Sequence, residues 1–198
     1  MARPIAKDYD EKRQLILDRA AQLFASEGFD RASVSRVAKA CAISKANIYH
    51  YYPSKDEILF DILDKYLRAL RDRIVGMDLA GLAPQEQFRQ TVVEILLAYQ
   101  GADNEHRLQA SGIKHLPAAQ QAILVGYQRD LVWHMSALVA AVAPDVFADN
   151  RAKLRAATMS VFGMLNWFYM WNSGADQTAR EDYADVVFQI SLNGFSGL

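Results

Sequence analysis

Cysteine is nearly absent from this chain of 198 residues. Cys41 stands alone, so no intrachain disulfide can form, which fits a reducing compartment. Long hydrophobic runs are missing too. The greasiest stretch, Val161 to Trp171, is about half a membrane span and contains Asn166. The amino terminus, MARPIAKDYDEKR, lacks the apolar segment of a secretory signal. A cytoplasmic protein is the expectation. A large charge of one sign is also lacking: the net charge is −1, which excludes a globally basic coat for nucleic acid. There is no nucleophile elbow, no HExxH, no P-loop and no dinucleotide fingerprint. No catalytic residue and no cofactor are therefore assigned, and an enzyme is not expected. Internal repeats, low-complexity segments and strand-like alternation are absent as well.

What is present is helix. Hydrophobic residues make up 52% of the chain, ample for a core, and they recur at helical spacing almost throughout. The pattern predicts an all-α fold of about nine helices. The charges are unevenly spread. Residues 1–55 hold ten basic and six acidic side chains, and the remainder twelve and seventeen. A basic amino-terminal module on an acidic body is the electrostatic footprint of a nucleic-acid reader attached to something else.

Local signals mark the elements. Asp8 with Glu11 reads as a capping box for the first helix, whose apolar stripe is Ile16, Ala20, Leu23 and Phe24. Gly28 can end it in the left-handed conformation. Ser33 starts a second, short helix with Val34, Val37 and Ala38 inward. Ala40 to Ile43 form a turn. Ser44 caps a third helix that runs to about Tyr51 and stops before Pro53. Ser54 with Glu57 is a further capping box, opening a long fourth helix that ends near Gly76. Helices are then expected from Pro84 to about Gln100, to about His115, from 118 to 142, over 149–173 and over 178–195. Ala143-Pro144-Asp145 reads as a loop, and Thr178 with Glu181 as the last capping box.

Two short helices with a tight turn between them form a helix-turn-helix pattern. With Ile43, Ile48 and Tyr52 facing a small core, Lys45, Ala46, Asn47, Tyr49 and His50 face out. Lys45 and Asn47 are the types that read guanine and adenine edges, and Ala46 lets the helix approach the major groove closely. Tyr49, Tyr51 and Lys55 suit phosphate contacts, which set register without reading sequence. Ser44, at the leading end of the helix, is counted with them. Such residues singly are solvated surface. Their co-occurrence on correctly spaced short helices points to duplex DNA.

The stretch FASEGFDRASVSRVAKACAISKANIYHYYPSKDEIL resembles the DNA-binding signature of TetR/AcrR-type regulators over about residues 10–60. The resemblance implies that Ser33 and Ser35 join the phosphate contacts while Lys45, Ala46, Asn47 and Tyr49 lie at the groove. Family members often carry Gly in place of Ala46 and Phe in place of Tyr52. The resemblance further implies a DNA-binding domain over residues 1–54. A helical effector-binding and dimerisation domain would follow over residues 55–198, and the whole would act as a dimeric repressor on a palindromic operator. MLNWFYMWNSGADQTAREDYADVV resembles the matching region of members that respond to acyl-CoA thioesters in fatty-acid or aromatic-acid catabolism. That makes an acyl-CoA the first candidate effector. The alternatives are a sensor of free lipophilic compounds controlling efflux, or a DNA-binding protein with no effector.

In the carboxy-terminal half, Trp167, Phe168, Tyr169 and Trp171 read as core, dimer interface or ligand box. The small residues around Ser160 and Gly163 allow close helix approach. With Trp167 and, on the last helix, Val187 and Ile190, they make a candidate homodimer interface as a four-helix bundle. Candidate pocket residues are Leu63, Tyr66, Leu96, Tyr99, Leu108, Tyr127, Trp133 and Phe162, each of which also reads as core. Arg68, Arg71, Arg89, Arg107, Lys114 and Arg129 are available to phosphates of a CoA. His106, His115 and His134 lack the spacing of a metal site, and no metal is assigned.

Overall fold

The computed structural model describes residues 3–195 and 197, with side chains from residue 8 onward. Among the described residues there are helices and no strands. They are α1 (Arg3–Glu27), α2 (Val34–Ala40), α3 (Lys45–Tyr51), α4 (Lys55–Val75), α5 (Pro84–Ala98), α6 (Asp103–Gly112), α7 (Ala118–Val142), α8 (Pro144–Phe147), α9 (Arg151–Trp171) and α10 (Gln177–Phe195), with a 3-10 turn over Ile113–His115. The all-α class holds.

Three local expectations change. The first helix begins at Arg3, so Asp8 lies inside it. Asp8 accepts from Lys12 one turn on, at 2.7 Å, instead of capping. The segment at 143–145 is no plain loop. Pro144 opens the four-residue α8, because its missing N–H costs nothing at a first helical position. The cap of α10 is Asp176, whose Oδ1 accepts from Ala179 N at 2.9 Å, and Thr178 falls within the helix.

The chain forms two compact units. One comprises Met1–Tyr66 and Asn104–Leu124, the other Leu67–Asp103 and Val125–Leu198. In the first, Ile16, Ala20 and Phe24 of α1 meet Val37 of α2 and Ile48 of α3 in a buried core that includes Ile58 and Leu59 of α4. Helix α6 belongs to this unit. It crosses α4 at Gly112, where a Cβ would come within 3.3 Å of the Leu59 side chain. Tyr66 Oη and His106 Nδ1 stand 3.0 Å apart. Gln120 donates to Glu57 at 2.8 Å. The His115 ring lies 5.2 Å from that of Phe29, with Nδ1 3.4 Å from Asp30.

In the second unit α5 lies along α10, with Phe88 near Phe188 and Phe195 at 6.0 and 6.1 Å. Arg180 is buried there. Its guanidinium donates to the carbonyls of Leu96, at 3.1 Å, and Ala175, at 3.2 Å, and sits 5.5 Å from the Phe168 ring centroid. Leu96 is in the last turn of α5, where carbonyls lack helical partners and a cation is favourable. A charge taken from water is thus held by a helix end and an aromatic face.

Candidate nucleic-acid interface

Two serines set the leading ends of the short helices. Ser33 Oγ accepts from Arg36 N at 3.3 Å and Ser44 Oγ from Asn47 N at 3.1 Å. Each satisfies an amide that the helix leaves open. Between the helices, Ile43 N donates to Ala38 O at 3.0 Å across a left-handed Ala42, φ 54°. That bond closes a Schellman-type end, a position where glycine is usual. The turn fixes the angle at which α3 leaves α2.

Helix α3 buries one of its own residues, Ile48, against the core. Lys45, Ala46, Asn47, Tyr49 and His50 are all exposed, as are Ser33, Ser35 and Ser44. The helix therefore exposes a cation, a small residue, a carboxamide and a phenol, with Lys45 and Tyr49 on the same face. Lys45 Nζ lies 5.7 Å from the Tyr49 ring centroid, one turn along. Tyr51 is half-buried because its ring stacks on Tyr9 of α1 at 4.7 Å. Tyr9 gave no sequence signal, since its place beside α3 depends on how α1 crosses it.

Lys55, counted among the residues suited to phosphate contacts, is held within its own unit. Its ammonium donates to the carbonyls of Phe29, at 2.7 Å, and Ala32, at 3.2 Å, and lies 4.1 Å from the Phe29 ring centroid. It ties the start of α4 to the α1–α2 loop. Tyr52 has a use for its hydroxyl. It donates to Asp61, which also binds Arg13 at 2.7 Å. Burial, and then the Asp61 carboxylate, push the Tyr52 pKa upward, so the phenol stays a neutral donor. The extra hydroxyl at a buried position was the cue to look for this acceptor. Burial also raises the Cys41 thiol, which makes it a poor nucleophile.

The eight pocket candidates divide between the units. Leu63 and Leu108 are buried and Tyr66 half-buried in the first; Leu96, Tyr99 and Phe162 are buried and Tyr127 half-buried in the second. Tyr99 Oη donates to Asn166 at 2.7 Å. Trp133 is corrected: at 63% exposure it lines no interior of its unit, and Arg129 stacks on it at 4.9 Å. Two candidate phosphate cations are engaged by carboxylates, Arg71 by Asp72 at 2.6 Å and Arg89 by Asp185 at 2.9 Å. No cluster of three metal-ligating side chains occurs among the described residues.

On α9 and α10, Ser160, Gly163, Trp167 and Ile190 are exposed, but Val187 is 1% exposed and faces its own unit. Its neighbour Val186 is the valine on the open side. No helix among the described residues is long and apolar enough to cross a membrane.

Two family models match this chain. Residues 16–62 match the model for bacterial regulatory proteins of the tetR family, and residues 81–195 match that of the tetracyclin repressor-like C-terminal domain. The chain belongs to the TetR family. A TetR-family transcriptional regulator from Bordetella parapertussis has a similar solved structure, with 31% identity, a TM-score of 0.86 and coverage of 94% of this chain and 96% of that one. The uncharacterized regulator YuxN of Bacillus subtilis is 38% identical over 80 residues, 40% of this chain and 28% of its own length. This TetR-family chain thus spans under a third of the first curated relatives it matches. AibR, solved in complex with isovaleryl coenzyme A and operator DNA, shares the fold at a TM-score of 0.76, 20% identity and coverage of 90% and 97%.

Proposed function

We propose that this protein is a homodimeric transcriptional repressor that binds a palindromic operator and leaves it when a small hydrophobic effector binds. The observation that carries the reading is the serine-capped α3, with Lys45, Ala46, Asn47, Tyr49 and His50 exposed on one short helix anchored by Ile48. Lys45 and Asn47 read base edges. Ser33, Ser35, Ser44, Tyr49 and the hydroxyl of Tyr51 hold phosphates. Residues 1–54 carry the DNA contacts, and residues 55–198 the effector and dimer contacts. Two copies on a two-fold axis read half-sites about 34–36 Å apart or a little more.

An acyl-CoA is the effector class to test first, because AibR, of similar fold, is solved with isovaleryl coenzyme A and residues 164–187 resemble the acyl-CoA-responsive branch. Release requires the effector to favour the form that cannot hold DNA. A hundredfold preference amounts to about 2.7 kcal/mol. A second reading, a sensor of free lipophilic compounds, is favoured by the pairing of Arg71 and Arg89 with carboxylates, which leaves fewer cations for CoA phosphates.

The test is an operator-release titration with short, long and aryl acyl-CoA thioesters beside the matching free acids. Release by thioesters alone supports the first reading, and release by free acids alone supports the second. Protein that binds no DNA upstream of its own gene or its neighbours, while folded and dimeric, would remove the repressor reading.

A further inference from the structure

Two consecutive tyrosines end α3, and α1 holds each with a different side chain. Tyr9 stacks on Tyr51, with ring centroids 4.7 Å apart and planes 29° from parallel. Arg13 sits 5.8 Å from the Tyr52 ring centroid and pairs with Asp61, the acceptor of the Tyr52 hydroxyl. Residues four apart on a helix share a face, so one face of α1 grips the trailing end of α3 at two points.

The two phenols differ in what their hydroxyls do. Tyr52 is 4% exposed, and its hydroxyl is used inside the unit. Tyr51 is half-buried, and its hydroxyl makes no hydrogen bond among the described residues. The place of Tyr51 on α3 says where that hydroxyl goes. It stands four residues on from the exposed Asn47 and three on from the buried Ile48, at the border of the outward face. It lies about 9 Å along the helix axis from Lys45, and the major groove is about 12 Å wide. With Lys45 and Asn47 at base edges, the trailing end of α3 comes to the wall of the groove, where the phosphates are.

A tyrosine at a surface has several staggered rotamers, and ordering one of them on binding costs free energy. Tyr51 is ordered beforehand: Tyr9 lies on its face and His50 meets it edge-on at 5.4 Å. Tyr9 is itself 40% exposed, so the stack buries little and orients more than it stabilises. We propose that Tyr9 is a positioning residue of the DNA interface, its ring holding Tyr51 with the phenol hydroxyl directed at an operator phosphate. The proposal rests on the DNA-binding reading above and adds a residue of α1, outside the helix-turn-helix, to it.

The test keeps the two apart. Affinities of the full-length protein, per folded molecule, are measured on a mixed-sequence duplex and on the DNA upstream of its own gene. Tyr9→Leu should weaken binding to both by about three- to tenfold, the scale of one stacked aromatic pair. Tyr9→Phe keeps the ring and should restore most of that loss. In a Tyr51→Phe chain no hydroxyl remains to be positioned, so Tyr9→Leu should add less than about twofold there. Equal losses in both backgrounds, no loss from Tyr9→Leu, or a Tyr9→Phe loss as large as that of Tyr9→Leu would each overturn the positioning role and leave the DNA-binding reading intact. A native chain that binds neither duplex overturns both.

A second measurement needs no destabilising variant. In nuclear magnetic resonance spectra of the native chain, the Tyr51 ring protons should lie upfield of their positions in the urea-unfolded chain, because the Tyr9 ring covers them. They should shift again when the mixed-sequence duplex is added. Tyr51 signals at the unfolded positions, or signals that ignore the duplex while the protein binds it, would overturn the arrangement.

Discussion

An ammonium that donates to two backbone carbonyls has little left for a phosphate. Lys55→Met should therefore lower stability by about 1–3 kcal/mol, the scale of hydrogen bonds to a charged group, as read by urea unfolding. Its DNA affinity per folded molecule should change little. Tyr49→Phe should do the reverse, leaving the unfolding midpoint in place and weakening binding to operator and random DNA alike. Ala42 makes the opposite kind of prediction. Its φ of 54° strains a residue with a β-carbon, so Ala42→Gly should raise stability by about 0.5–1 kcal/mol despite the added freedom of the unfolded chain. His134 couples stability to pH. Its Nε2 is buried without a partner among the described residues, and burial lowers its pKa from the ordinary 6.5. The unfolded chain takes up the proton near pH 6.5, the folded chain only at lower pH. Over that interval the unfolded state holds more protons, so stability falls as the solution is acidified. His134→Gln should flatten the fall below pH 6.5 in melting curves and leave stability near pH 8 little changed in its pH slope. An unaltered acid slope would assign the effect elsewhere.

The elements were legible wherever their ends are decided by a side chain bonding its own backbone. Ser33, Ser44, Ser54 and Gly28 each act at short range: α2, α3 and α4 begin, and α1 ends, where those residues put them. Asp8 misled because a helix can start earlier than its best capping residue, and Thr178 because Asp176 was two places nearer the true start. The Pro144–Phe147 helix is a single turn, shorter than any periodic pattern can register. Phase was the other loss. Val186 and Val187 are chemically alike, so nothing local says which one faces inward. The structure decides it through the contact of α10 with α5. In the reading surface, the outward residues of α3 were legible because Ile48 alone had to be buried. Lys55 was not, because its partners at Phe29 and Ala32 are distant in sequence. The cap of α10 offers a check at this scale. Asp176→Ala should cost about 1 kcal/mol, whereas Thr178→Ala should be close to neutral, both by chemical denaturation.

For the molecule as a whole, Gly163 separates folding from assembly. Because a side chain there meets open space within its own chain, Gly163→Arg should fold and melt as a monomer. Across a dimer seam it would leave a buried charge without a partner, which is strongly destabilising. We expect helical monomers that lose operator binding, checked by sedimentation and mobility shift. A Gly163→Arg protein that stayed dimeric would move the seam away from α9. The composition of the first unit has a consequence of another kind. Its residues are not contiguous: Asn104–Leu124 belongs with the helix-turn-helix, through Gly112 on Leu59, Tyr66 beside His106, and Gln120 on Glu57. The DNA-reading part is therefore no detachable cassette. Someone building a hybrid biosensor by joining residues 1–54 of this chain to a relative's carboxy-terminal portion would sever Lys55 from Phe29 and set a foreign α6 against the transplanted loop. Grafts that carry residues 104–124 along with residues 1–66 should express as folded protein far more often than those cut at the serine before α4.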